Sequence, residues 1–186
     1  MPLEVTIDLL SKCLLKCGAG ELAELRRMKV GGTGPLPYWR LAAGCDFLNS
    51  DPAIWMQIVH ILAILTPKGD KLATDCLHDS KRRLGGVLCD GGDGDWPSGR
   101  EPRPFISETR FARLLATPAD QRGDSLTRFA RMLAAKRDRA IGVNCTEIAD
   151  LLLSPDAKHN LQNIARDYYR RLDSATRKTE KEEAQK

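Results

Sequence analysis

The stretch from Ala53 to Leu65 (AIWMQIVHILAIL) is apolar on nearly every side of a helix, with only Gln57 and His60 interrupting it. A helix without a polar face cannot lie on a protein surface. It is also shorter than the ~20 residues a bilayer span requires. Its place is therefore the centre of a bundle, and the rest of the chain must supply the helices that cover it. Asn49-Ser50-Asp51-Pro52 reads as its N-terminal cap, and the helix is expected over Ala53 to Thr66.

Covering helices are legible on both sides. Val5 to Cys17 carries Val5, Leu9, Leu10, Cys13, Leu14 and Cys17 on one stripe, stopped by Gly18. Glu21 to Lys29 follows, with Leu22 and Leu25 beside Arg26 and Arg27. GGTGPLP breaks the chain before a helix over Tyr38 to Leu48, with Pro37 in its first turn. A further helix is expected over Asp70 to Leu84, ending at Gly85-Gly86. Then comes CDGGDGDWPSGREPRP, Cys89 to Pro104, whose run of Gly and Asp reads as a long exposed loop. It resembles a calcium loop only superficially, since no glutamate closes it at the required spacing. Helices at 107–116, 124–138, 145–153 and 157–173 complete the pattern. Ser107 with Thr109, Asp124-Ser125, Asn144 and Ser154-Pro155-Asp156 mark the joints. The expected fold is all-α: an N-terminal bundle (1–88), an exposed loop (89–104), a C-terminal bundle (105–173), and a charged, disordered tail (174–186).

Composition narrows the function classes. Aromatic residues make up only 5% of the chain, which weighs against a β-sandwich or barrel. MPLEVTIDLL lacks the basic region of a secretory signal, so a soluble, cytoplasmic protein is expected. The six cysteines form no Cys-x-x-Cys pair, and His60, His78 and His159 stand at no ligand spacing to them. They read as small core hydrophobes in a reducing compartment, with no metal and no cofactor. Trp39 and Trp55 read as core and Trp96 as loop.

The net charge of +4 is modest, but its distribution is uneven. Between Arg100 and Arg139 stand ten basic residues against five acidic ones. On the helix from Ser107, Phe111, Leu114 and Leu115 cluster on one side, and Arg110 and Arg113 occupy the neighbouring face. On the next, Leu126, Phe129, Ala130 and Leu133 form the core stripe with Arg128 and Arg131 opposite. Arginine suits bidentate phosphate contacts and base stacking, so the pattern points to nucleic-acid backbone. Phosphate-cradling, dinucleotide-binding, zinc-protease and serine-hydrolase motifs are all lacking. Asp90, Asp93 and Asp95 have no histidine or lysine partner in sequence, and no catalytic residue is expected.

The order of motifs carries a resemblance. GELAELRRMKV, PLPYWRL, PAIW before an apolar helix, ISETRFARLL, DSLTRFARMLAAK and ARDYYRRL together resemble the CasB family, over Glu21 to Leu172. CasB proteins are the small subunit of Cascade, the type I-E CRISPR surveillance complex. The resemblance implies an all-helical, non-enzymatic protein present in two head-to-tail copies beside other Cascade subunits. It would contact the backbone of the guide-bound target DNA and of the displaced strand, with the guide RNA as a further candidate partner, and no membrane. By motif, Arg26 and Arg27 fall in the family's basic patch, and Arg110 and Arg131 match recurrent arginines. Arg113, Arg128 and Lys136 join them from helical geometry alone. Arg40, beside Trp39, reads as a packed structural arginine. The sequence departs from the family pattern at GGTG, at the acidic loop 90–95 and in the charged tail. A different reading is a helical adaptor whose arginine faces dock acidic proteins; a third, a small helical nuclease, lacks a catalytic constellation.

Overall fold

A computed structural model describes residues 1–97, 102–154 and 156–184, with side chains to residue 177. Arg100, Glu101, Pro155 and the last two tail residues lie outside the described residues. The fold is all-α. Its helices are α1 (Leu3–Lys16), α2 (Ala19–Arg27), α3 (Leu36–Gly44), α4 (Pro52–Leu65), α5 (Leu84–Asp90), α6 (Glu108–Leu115), α7 (Ala119–Lys136), α8 (Cys145–Leu153) and α9 (Lys158–Ala184).

The apolar helix α4 is central, as its composition demands. Trp55, Met56 and every residue from Ile58 to Leu65 are buried, and α1, α2, α7 and α8 all pack on it. Asp51 caps it, its carboxylate accepting from the Ala53 amide at 2.9 Å. Its two polar interruptions are answered by neighbours. The His60 ring meets the Leu25 carbonyl through Nδ1 at 3.1 Å, and Gln57 donates to Thr127 Oγ1 at 2.8 Å and to the Gly123 carbonyl at 3.2 Å.

The helix expected over Asp70 to Leu84 does not form; the helical segment here begins at Leu84. Aspartates take the backbone elsewhere. Asp75 accepts from the Leu72 amide at 3.0 Å and Asp79 from the Lys81 amide at 2.9 Å, turn contacts that compete with helix. The segment then runs beside residues 139–144. The Cys76 amide donates to the Arg139 carbonyl (2.9 Å) and the Val143 amide to the Leu77 carbonyl (3.0 Å), making an isolated parallel bridge at His78 and Val143.

Gly85 and Gly86 lie inside α5, not after a helix. A Cβ at Gly85 would stand 2.1 Å from the Ile164 carbonyl oxygen, because α5 and α9 cross with their backbones in contact. This crossing is the most extensive helix pairing among the described residues. The loop expected from Cys89 is likewise partly interior. Cys89, Asp90, Gly91 and Gly92 are buried, and the loop's return is tied to α5 by the Phe105 and Ile106 amides donating to the Cys89 and Leu88 carbonyls.

Several boundaries also move. Helix α7 begins five residues early, at Ala119, and α3 ends at Gly44, before a left-handed Asp46 (φ 62°). Helix α9 continues through the expected disordered tail to Ala184, supported by helix-forming Lys, Arg, Glu and Ala and by an Arg177–Asp173 pair at 3.0 Å. Trp39 is not core: it is 37% exposed, its indole N–H held by the Thr33 carbonyl at 2.9 Å. Trp55 is core, stacked on Phe47 with centroids 4.3 Å apart.

One continuous hydrophobic cluster extends from Ile7 to Tyr168. The pairings α4 with α7 and α5 with α9 join the two halves of the sequence. All six cysteines are free thiols; Cys45, Cys89 and Cys145 are buried, and burial pushes each up to about 12. No helix is long and apolar enough to cross a membrane among the described residues.

Candidate nucleic-acid interface

Helix α6 is pinned by Phe111 and Leu114. The Phe111 ring stacks on Tyr168 of α9 with centroids 4.0 Å apart and planes 9° from parallel. That anchoring turns Arg110 and Arg113, one turn apart, to solvent. Helix α7 follows through Thr117-Pro118 and packs Leu126, Phe129, Ala130 and Leu133 inward, leaving Arg128, Arg131 and Lys136 exposed. The two helices touch, so the four arginines belong to neighbouring elements. None of Arg110, Arg113, Arg128, Arg131 or Lys136 makes an ion pair among the described residues. Even Asp124, one turn before Arg128, stays exposed and apart.

The remaining basic residues of this stretch divide differently. Arg122 is buried, its guanidinium donating to the carbonyls of Leu151 (2.7 Å) and Ser154 (3.2 Å) at the end of α8. Arg137 donates to the carbonyls of Cys76 (3.0 Å), Leu65 (2.8 Å) and Ile141. Arg139 forms a fork on Asp75, with contacts of 2.5 and 2.8 Å, and reaches the Asp70 carbonyl at 2.7 Å. These three hold the fold together, so the local charge available to a partner is smaller than the sequence count suggests.

Arg26 belongs with the structural group. Its Nε donates to the Ala63 carbonyl and its Nη2 to the Thr66 carbonyl, both at 2.8 Å. With Arg137 on Leu65, two guanidiniums close the C-terminal carbonyls of α4, where the helix dipole favours positive charge. Burial pulls both guanidiniums below their ordinary value, and both stay charged. Arg27 is exposed and donates to the Ala23 carbonyl of its own helix at 3.1 Å. It lies on α2, which packs on α3 and α4. Arg40, expected to be packed, is exposed and, among the described residues, makes only a long contact with Glu21, 3.5 Å. A helical stripe alone cannot separate an arginine that caps a distant helix from one that faces water, because the acceptor is set by tertiary packing.

A second concentration of cations, which the sequence pattern does not single out, is Lys81-Arg82-Arg83 and Arg170-Arg171, which meet where α5 crosses α9. Its signal was present in the runs KRR and YYRR, but the expected Asp70–Leu84 helix and an acidic Asp90 loop concealed it. Among the described residues, no group of three or more His, Cys, Asp or Glu side chains is placed to hold a metal ion. Compared with family models, curated proteins and solved structures, the chain matches none of them.

Proposed function

We propose that this chain is a non-catalytic, nucleic-acid-binding small subunit of a type I-E Cascade complex, as the order of its CasB-like motifs implies. The observation that carries the binding reading is the row of exposed, unpaired cations on α6 and α7: Arg110, Arg113, Arg128, Arg131 and Lys136. Unpaired surface arginines without a base-reading element favour phosphate over sequence, so the contact is with backbone. Arg27 is a companion on α2; Arg26, occupied by α4, is not. In such a complex the guide reads sequence by base pairing, and backbone contacts tip a near-balanced strand exchange toward the open R-loop. Two copies beside the other subunits would hold the guide-bound target strand and the displaced strand apart, in the cytoplasm.

Binding of the protein to a single-stranded oligonucleotide, followed by fluorescence anisotropy across a salt series, tests this. Affinity should fall steadily with salt. The double variant Arg110→Glu, Arg131→Glu should lose roughly tenfold or more at low salt, ~1.4 kcal/mol, and flatten the salt slope by about 1 or more, with helical circular dichroism unchanged. Absence of binding at low salt, both alone and within Cascade, would sink the reading. Variant-sensitive binding of an acidic protein in place of nucleic acid would favour the adaptor alternative.

A further inference from the structure

Where α5 crosses α9 a cleft of about 300 Å3 opens, at the small end of ligand-site volumes. Five cations line it, Lys81, Arg82, Arg83, Arg170 and Arg171, with two carboxylates, Asp90 and Asp167. One wall is the segment leading into α5. The other is a face of α9 on which Asp167, Arg170, Arg171 and Ser174 follow helical spacing.

Three of these guanidiniums are fixed in advance. Arg171 donates from Nε to Asp90 at 2.9 Å and from Nη2 to the Trp96 carbonyl at 3.1 Å, and it lies 5.0 Å from the Trp96 ring centroid. Arg82 reaches both oxygens of the same carboxylate, at 3.3 and 3.2 Å. Arg83 pairs with Glu147 at 2.7 Å and Asp167 at 3.1 Å. Asp90 is 1% exposed and already accepts from the Gly92 amide at 2.9 Å. One carboxylate thus serves two guanidiniums and leaves the trio one positive charge in excess. Arg82 Nε, moreover, is buried without a partner. At the mouth, Arg170 is 72% exposed with only a 3.8 Å contact to Asp167, and Lys81 makes no ion pair among the described residues.

We propose that this cleft binds a phosphate group, at a site separate from the α6–α7 arginines. A phosphate presents oxygens on several sides, enough to accept from Lys81 on one wall and Arg170 on the other, and its negative charge meets the positive excess of a cleft with five cations and two carboxylates. Arg82 and Arg171, held by Asp90 before any ligand arrives, supply fixed positive charge beside these two, so only Lys81 and Arg170 need be ordered on binding. The phosphate can come from a nucleic-acid backbone or from a free phosphate compound; both share this chemistry.

The test uses the full chain and the double variants Lys81→Glu, Arg170→Glu and Lys81→Gln, Arg170→Gln. These residues do not hold α5 to α9, and the neutral pair covers a failure of the reversed pair to fold. Saturating pyrophosphate should raise the wild-type Tm by about 3 °C or more, a shift absent from the variants. Single-stranded oligonucleotide affinity should fall by about tenfold in the variants if the source is backbone. Loss of both effects supports a backbone phosphate; loss of the pyrophosphate effect alone supports a free phosphate compound. The proposal is overturned if the variants change neither, or if polyglutamate, and not pyrophosphate, gives the variant-sensitive shift. The Arg110→Glu, Arg131→Glu protein should keep the full pyrophosphate shift. If that protein loses oligonucleotide binding while the cleft variants keep both oligonucleotide binding and the pyrophosphate shift, the cleft fails and the proposed α6–α7 face stands. Loss of both effects in the cleft variants, with oligonucleotide binding kept by the Arg110→Glu, Arg131→Glu protein, supports the cleft and sinks that face.

Discussion

At the scale of single residues, arginine does two jobs in this chain, and the acceptor decides which. Arg26, Arg122 and Arg137 close carbonyls left open at helix ends, whereas Arg27, Arg110, Arg113, Arg128 and Arg131 face water. Removing Arg26 strips charged donors from two carbonyls, each such bond contributing about 1.5–3 kcal/mol before relaxation and solvent compensation. Arg26→Ala is therefore expected to lower stability by ~2 kcal/mol in urea unfolding while leaving the salt slope of oligonucleotide binding unchanged; Arg27→Ala should do the opposite. The caps at Asp51 and Asn144 could be read from sequence because donor and acceptor lie within three residues. The role of Arg26 could not, since its acceptors lie 37 and 40 residues away. The exposed pairs on α6 and α7 were legible because Phe111 and Phe129 fix which face turns inward.

At the scale of elements, the readings that held were those with strong periodicity and a capping residue, such as α4 and α8. Asp70 to Leu84 does not form a helix because its aspartates bond local amides and the buried Leu77 docks beside Val143 in extended backbone. The glycines after it read as punctuation in the sequence, but Gly85 is a contact surface. With the Ile164 carbonyl 2.1 Å from a would-be Cβ and the Tyr168 amide 2.8 Å away, neither obstacle is a flexible side chain. Gly85→Ala should push α5 off α9 and cost ~3 kcal/mol or more, lowering the denaturation midpoint. Gly86→Ala, with no atom within 4 Å of its Cβ, should be neutral or slightly stabilising by comparison. Unfolding curves of the two variants side by side check this.

At the scale of the whole molecule, the halves on either side of the Gly/Asp loop share one core, because α4 is covered partly by α7 and α5 is crossed by α9. Fragments 1–97 and 102–186 expressed separately should therefore each lack a cooperative thermal transition, whereas the intact chain should melt once; two independent melts would show two bundles that are stable apart. The extension of α9 to Ala184 was hidden from the sequence because balanced charge reads equally as a frayed tail or a solvated helix. The three buried thiols give this architecture an internal clock. Cys45 sits in the first half, Cys89 at the α5–α9 seam and Cys145 at the start of α8, each sealed and held in its protonated form. An alkylating reagent can reach each only when its own neighbourhood opens. The chain thus carries, without any added label, separate timekeepers for the loosening of each region.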